Sequence, residues 1–510
     1  MEILAFIILC IYSISLLVIF SYGMAQLSLV ISYLKSKAAG RIIESVVNSP
    51  LSKYPVVTIQ LPIYNEMYVV ERLMDAVSLM NYPKDKLEIQ MLDDSGDETT
   101  DIIGKKMFQL QARGFDVAHI RRPDRRGFKA GALSYGLQLA RGEFIAIFDA
   151  DFMPKADFLL NTLPQFSRPE VGVVQTRWEH LNKDYSLITK LQAFGLDAHF
   201  TVEQTGRNSA GHFINFNGTA GIWRKQCIID SGGWQSDTLT EDLDISYRAQ
   251  LKGWKFIYLE NIGTPAELPV AMNALKNQQF RWNKGAAECA KKNLSSVLRK
   301  KELSPATKLH AIFHLMNSTK FIFIMLTAVL SIPMLYVKDH FIQFHNIFFY
   351  ASFFLTSVLM LGAFYFTSIA QQQRRFSGNI IQFLMIFLLF LAVSMGLSFH
   401  NAVAVLQAYF GKKTAFKRTP KFGLESKKQS WKENRYLEKR INWITLTEGF
   451  FSIYFIAGIF VAFSLKDYGL LPFHIMLAFG FGFVCYFSIA HSKGLFTNLQ
   501  PFKWLKLARS

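Results

Sequence analysis

The chain has 510 residues, 51% of them hydrophobic and 15% aromatic, with 47 Phe. That is too apolar for an ordinary soluble protein and points to membrane segments, on a length that accommodates two or three domains. A net charge of +18 suits nucleic acid or a membrane surface, but eleven Lys/Arg against three Glu lie in Lys412–Arg440 between hydrophobic stretches, so positive-inside bias explains it and no nucleic-acid partner is expected.

Ile3–Val30 is longer than the roughly 20 residues a spanning helix needs and is followed by Lys35, Lys37 and Arg41. It lacks a basic start and a small-residue cleavage pattern, so residues 1–34 read as an uncleaved anchor with its N-terminus outside. Residues 44–303 hold no segment long and apolar enough to span and read as a cytosolic domain. Inside it, Val56–Leu61, Leu87–Leu92, Val117–Ile120 and Phe144–Phe148 read as strands. Between the first two, Val69, Val70, Leu73, Met74, Val77 and Met80 keep the spacing of one helical face. Such alternation predicts βαβ units and a mainly parallel, Rossmann-like α/β sheet, here inserted in a multi-span helical membrane domain. The absence of GxGxxG disfavours a dinucleotide.

Hydrophobic stretches resume in residues 311–491, with spans predicted near 312–337, 347–370, 444–465 and 470–490. Residues 379–410 are too long for one crossing and short for two, which predicts a hairpin, a re-entrant segment or an interfacial helix. Arg374-Arg375, the basic loop 412–440 and the tail 492–510 are expected on the cytosolic side, for a multi-pass protein of the cell or inner membrane. Lys291, Lys292, Arg299, Lys300 and Lys301 around Leu294, Val297 and Leu298 predict an amphipathic helix on the inner headgroups, the alternative being an ordinary solvated basic helix. Cys10, Cys227, Cys289 and Cys485 have neither CxxC nor metal-ligand spacing, so no disulfide framework or zinc site is indicated.

Chemistry concentrates where apolar runs stop. Phe144–Phe148 ends in Asp149-Ala150-Asp151, two carboxylates at the edge where open α/β sheets bind ligands; the pair suits a divalent cation holding phosphates, or is an acidic turn. Asp93-Asp94 ends a second strand in the same way, so one sheet edge carries two acidic pairs, and Asp94 suits a nucleobase or ribose. Pro62–Glu66 opens the first helix, where free N–H groups favour an anion, and Lys129 after Arg125-Arg126-Gly127 can reach a diphosphate. Glu241-Asp242 offers a base for an acceptor hydroxyl. Gln278-x-x-Arg281-Trp282 sets a phosphate-binding guanidinium beside an indole able to stack on a sugar, though Trp282 also fits core packing and Arg281 a helix-end salt bridge.

In this order, Asp94, Asp149-x-Asp151, Thr240-Glu241-Asp242 and Gln278-x-x-Arg281-Trp282 resemble the D, DxD, TED, QxxRW series of processive family 2 membrane glycosyltransferases such as cellulose synthases. Phe216–Arg224, Gly232-Gly233-Trp234 and Leu251–Phe256 resemble the mannan, glucomannan and xyloglucan-backbone synthases of the cellulose synthase-like group. The resemblance implies a glycosyltransferase A domain in which Asp94 and Lys129 bind the nucleotide and Asp149 and Asp151 hold Mg²⁺ or Mn²⁺ with the diphosphate. It makes Asp242 the general base and puts Glu241, Gln278, Arg281 and Trp282 near the diphosphate and acceptor. A UDP- or GDP-hexose would be transferred with inversion to a β-linked polysaccharide of mannan or glucan type; the alternatives are one addition to a lipid acceptor, and an inactive scaffold or transport protein. Phe416–Lys421 is similar to the FxVTxK gating motif, with Arg418 in place of its Val. The resemblance identifies no export partner.

Overall fold

The computed structural model describes residues 2–40, 53–344, 346–348, 353–372, 380–424, 431, 434–437 and 440–493. Arg41, Arg374, Arg375 and most of the tail 492–510 lie outside them, so the orientation argument from those residues has no structural counterpart.

Seven strands form one sheet: β1 Val57–Ile63, β2 Leu87–Asp93, β3 Asp116–Ile120, β4 Phe144–Ile147, β5 Val171–His180, β6 Gly221–Arg224 and β7 Lys255–Ala266. Their spatial order is β3-β2-β1-β4-β6-β5-β7, with β3, β2, β1 and β4 all parallel. β4 sits near the middle, and its residues serve both faces. Phe144, Ala146 and Phe148 join the core with Val57, Ile59 and Leu73, whereas Ile145 and Ile147 join the opposite one with Leu133 and Trp223. Burial on both sides is why the run is continuously apolar rather than alternating. β6 runs antiparallel between β4 and β5 and extends the sheet beyond the four strands legible in the sequence.

Helices cover the sheet, and the long helix Met272–Arg299 leaves β7 towards the membrane part. At 1.5 Å per residue its 28 residues reach about 42 Å. It is bolted to the helix Trp443–Ser464 by a buried ion pair, Lys276 Nζ to Glu448 Oε2 at 2.7 Å. Its C-terminal end departs from the amphipathic reading. Val297 is fully buried and packs in a protein core with Leu243, Tyr247 and Leu315, while Lys292 pairs with Asp237 and Asp244. Val297 and part of Leu294 thus pack on protein, including the neighbouring helix Pro305–Leu315, while Leu298 stays exposed.

Among the described residues five helices are long and apolar enough to cross a membrane: Glu2–Ala38, Asn317–His340, Ile342–Gln371, Trp443–Ser464 and Leu471–Ser492. The segment read as hairpin, re-entrant or interfacial forms two successive helices, Ile380–Gly396 and Ser398–Tyr409, bent by 46°. The second packs against the helix Met272–Arg299, with His400 Nε2 bonded to the Lys276 carbonyl at 2.9 Å.

Candidate active site

The C-terminal edge of β1, β2 and β4 opens into a cavity of about 150 Å³. Asp94, Lys129, Asp149, Asp151, Glu241 and Asp242 all line it, as do Gln278, Arg281 and Trp282 from the helix Met272–Arg299. Segments almost two hundred residues apart thus converge on one cavity, with the helix Glu241–Leu251 packed against the long helix. On that long helix Gln278 is three and four residues from Arg281 and Trp282, which puts all three on one face.

Asp149 Oδ1 accepts from Lys129 Nζ at 2.6 Å, and the same ammonium donates to the Gly218 carbonyl at 2.8 Å. Burial works against the Lys129 charge, but Asp149 and Glu241 outweigh it and raise its pKa. Asp151 is 1% exposed; its Oδ2 accepts from Lys421 Nζ at 2.8 Å and from the Glu267 amide at 3.1 Å. Its Oδ1 is buried with no hydrogen-bond partner. Two hard carboxylates, one with an unmet oxygen facing a polar cavity, fit a divalent cation. Among the described residues no third His, Cys, Asp or Glu completes a ligand set, so diphosphate and water would supply the rest, as Mg²⁺-type sites commonly require.

Asp242 stands in the first turn of its helix, and its Oδ1 accepts from the Leu243 amide at 2.8 Å. Burial, then the Glu241 carboxylate, push its pKa up to about 7 against the pull of Lys129, the Leu243 amide and Arg281. A carboxylate poised there suits proton abstraction near neutrality. Two glycines allow this placement. Gly218 has φ +79°, and a Cβ on it would lie 2.9 Å from Asp242 Oδ2. Gly285 lets Thr240 settle on the long helix, where a Cβ would come within 2.5 Å of Thr240 Cγ2.

Several contributors escaped the sequence reading. Arg122 clasps Asp94 side-on, Nε donating to Oδ1 at 3.0 Å and Nη2 to Oδ2, and also ties down the Arg126 and Phe128 carbonyls. The two arginines of the basic loop part company: Arg125 stacks on Tyr64 at 3.2 Å, whereas Arg126 points to solvent. Asp93 is occupied structurally by His119, the Ser95 amide and Thr100.

After β1 the anion-binding helix start is not what forms. Asn65 turns left-handed at φ 53°, its amide is spent on Ser95 Oγ, and the helix begins only at Val70. The segment instead presents Glu66, 6% exposed and paired with Arg418 at 2.5 Å. Arg418, the residue in place of the motif's Val, therefore has a partner across the cavity. Phe416 stacks on Phe128 and faces Arg281 at 4.7 Å. Glu267 accepts the amides of Phe422, Gly423 and Leu424, which fixes this segment over the carboxylate pair.

The family described as Glycosyltransferase like family 2 matches residues 55–285. This segment is a family 2 glycosyltransferase domain. The match spans β1 to β7 and all four motifs of the series, so the cellulose synthase-like resemblance drawn from those motifs holds. The domain is 40% identical over 265 residues to the probable glucomannan 4-beta-mannosyltransferase 4 of Oryza sativa subsp. japonica, covering 51% of this chain and 48% of that protein. It is 40% identical over 267 residues to glucomannan 4-beta-mannosyltransferase 9 of Arabidopsis thaliana, covering 51% and 50%. The chain spans about half the length of the curated relatives it matches. Among solved structures, the mannosyltransferase PcManGT from Pyrobaculum calidifontis in complex with GDP-Man and Mn²⁺ aligns with a TM-score of 0.50 at 18% identity, over 79% of this chain and 100% of that one. That likeness supports the glycosyltransferase A fold.

Proposed function

We propose that the chain is a membrane-mounted, inverting hexosyltransferase that extends a β-linked polysaccharide of mannan or glucan type from a nucleotide sugar. One observation carries the reading: the acidic pair, the poised Asp242 and the Gln-x-x-Arg-Trp face share one cavity of about 150 Å³. In it Asp94 and the Tyr64–Arg125 stack stand at the nucleoside end. Asp149 and Asp151 would hold Mg²⁺ or Mn²⁺, which when bound screens the charge of the diphosphate leaving group. Lys129 and Arg281 add fixed positive charge beside it, and Trp282 gives the sugar an apolar face. Asp242 takes the proton of the acceptor hydroxyl as its oxygen attacks the anomeric carbon, which inverts an α-linked donor to a β-linkage. Similarity to glucomannan mannosyltransferases supports a hexose donor and a polysaccharide product, and the five apolar helices support a membrane location. Positive residues flanking the spans support a cytosolic catalytic domain.

The test is to incubate purified full-length chain in lipid with each labelled nucleotide sugar and Mn²⁺ or Mg²⁺, and to resolve products by size and linkage. A ladder of β-linked oligosaccharides is the expected result. No transfer from any donor, with the protein folded, overturns the reading.

A further inference from the structure

Arg122 has no place in the transfer step itself, yet four of its five N–H donors are spent. Nε gives one bond and Nη2 another to Asp94, Nη2 gives a second to the Phe128 carbonyl at 3.1 Å, and Nη1 gives one to the Arg126 carbonyl at 2.8 Å. The side chain is 9% exposed, and among the described residues it is not on the cavity wall, whereas Asp94, Arg125 and Lys129 are. A guanidinium so enclosed is not a phosphate binder. What it grips is the backbone just ahead of one. Gly127 and Phe128 are consecutive left-handed residues, at φ 69° and 49°. Glycine adopts that conformation freely, but a phenylalanine holds it only where its surroundings over-determine it. The Arg122 bond to the Phe128 carbonyl is one such constraint, and the stacking of Phe128 on Phe416 at 5.7 Å is another. The turn opens the helix Phe128–Leu139 and aims its second residue: Lys129 Nζ reaches Asp149 Oδ1 at 2.6 Å and the Gly218 carbonyl at 2.8 Å. Gly131 belongs to the same device. A Cβ on it would lie 2.0 Å from the Arg126 carbonyl oxygen and 2.6 Å from Arg122 Nη1, so any side chain there would drive the guanidinium from its place.

A plain ion pair with Asp94 would need only opposite charge, and a lysine would serve. The bonds of Arg122 instead diverge to a carboxylate and to two carbonyls on different residues, which a planar fork spans and a single ammonium does not. We propose that Arg122 is a positioning residue for the sugar-nucleotide donor: clamped on Asp94 at the nucleoside end, it holds the Gly127–Phe128 turn that brings Lys129 to the carboxylate pair. One buried guanidinium thus ties the nucleoside end of the site to its diphosphate end. Arg125, on the same turn, is kept over Tyr64 at 3.2 Å, so the nucleoside wall and the lysine are set together. The proposal rests on the transferase reading and assigns Arg122 a part in binding the donor, not in the proton transfer at Asp242.

The test uses the full chain in nanodiscs and has two readouts. The first is acylation by an amine-reactive ester, scored at Lys129 by mass spectrometry with no nucleotide present. Lys129 is 16% exposed, and Arg122→Lys, which keeps the charge but loses the fork, should raise its labelling about tenfold as it leaves Asp149. Gly131→Ala, which alters neither charge, should do the same. Arg126→Lys, at a side chain 92% exposed, should label Lys129 like wild type. The second readout is calorimetric binding of UDP and of GDP with Mn²⁺. Arg122→Lys should lower affinity about tenfold for whichever nucleotide wild type binds, and that loss should shrink in a Lys129→Met background, because one residue acts through the other. Wild-type labelling of Lys129 in folded Arg122→Lys overturns the proposal, as do losses that multiply in full in the double variant. A merely structural arginine would lower the melting temperature and leave Lys129 labelling unmoved. Labelling needs no nucleotide, so the two readings fail separately. Wild type that binds neither UDP nor GDP sinks the transferase; normal nucleotide binding beside unchanged labelling in Arg122→Lys sinks the role of Arg122 alone.

Discussion

Asp242→Asn is expected to raise stability and abolish function together. In the folded chain burial and Glu241 hold the Asp242 carboxyl at about 7 against an ordinary 3.8. That displacement corresponds to at most about 4 kcal/mol of cost for carrying the charge in the folded state. The sign follows from the folded pKa lying above the unfolded one: the contribution is fully present below about 3.8 and is lost as pH rises through about 7. At pH 8 wild type therefore bears the cost and the amide does not. Asn keeps the shape, and its carbonyl oxygen can still accept the Leu243 amide. Removing the proton acceptor should lower transfer by about 10²–10⁴-fold. The assay pairs apparent melting temperatures at pH 5 and pH 8 with initial transfer rates across the same range. The variant should melt higher than wild type at pH 8, by a margin that shrinks at pH 5. Wild-type kcat/KM should rise through an ascending limb near pH 7 that the variant lacks. A variant that melts lower than wild type at pH 8, or keeps the limb, would refute the argument.

Asp149→Asn and Asp151→Asn should each remove metal-dependent nucleotide binding in calorimetry; because each also takes the anion from a lysine, Lys129 or Lys421, both should melt below wild type, the more buried Asp151 variant by the larger margin. Lys276→Met strands the Glu448 carboxylate in a buried site and should cost about 3–5 kcal/mol, whereas Lys276→Met with Glu448→Met should recover most of it; thermal melts of both in detergent decide. Gly218→Ala forces a Cβ into Asp242 Oδ2 at φ +79°, so transfer should fall at least tenfold with little change in nucleotide affinity. Tags placed at Ser45 and Glu425 should be shielded in intact cells and become accessible on permeabilisation; labelling from outside would reverse the orientation.

Periodicity located the first four strands: β1, β2 and β4 are buried on both faces, and β3, an edge strand in which only Val117 is buried, is a short run that stops at Arg121. Its reach ended at β5, β6 and β7. β6 is four residues long and is made a strand only by the neighbours it pairs with, and β5 and β7 mix buried with half-exposed positions. The carboxylates and the Gln-x-x-Arg-Trp motif were legible because their residue types and order carry chemistry directly. What the sequence could not contain was their electrostatic state. Asp242 is poised near neutrality by burial and by Glu241, and Asp94 is committed to Arg122, a residue no local pattern marked. The partners of Glu66 and Glu267, Arg418 and the amides of Phe422–Leu424, come from about 150 residues or more away, and no local pattern marks them. The amphipathic stripe at Leu294–Leu298 shows the same limit, since the pattern does not say which of its positions pack on protein: Val297 does, and Leu298 is exposed. Local sequence determines strand, helix and chemical type through backbone and side-chain preferences a few residues wide. Charge state, pairing and the occupant of a face depend on which distant segments share a low-dielectric space, and only the tertiary fold decides that.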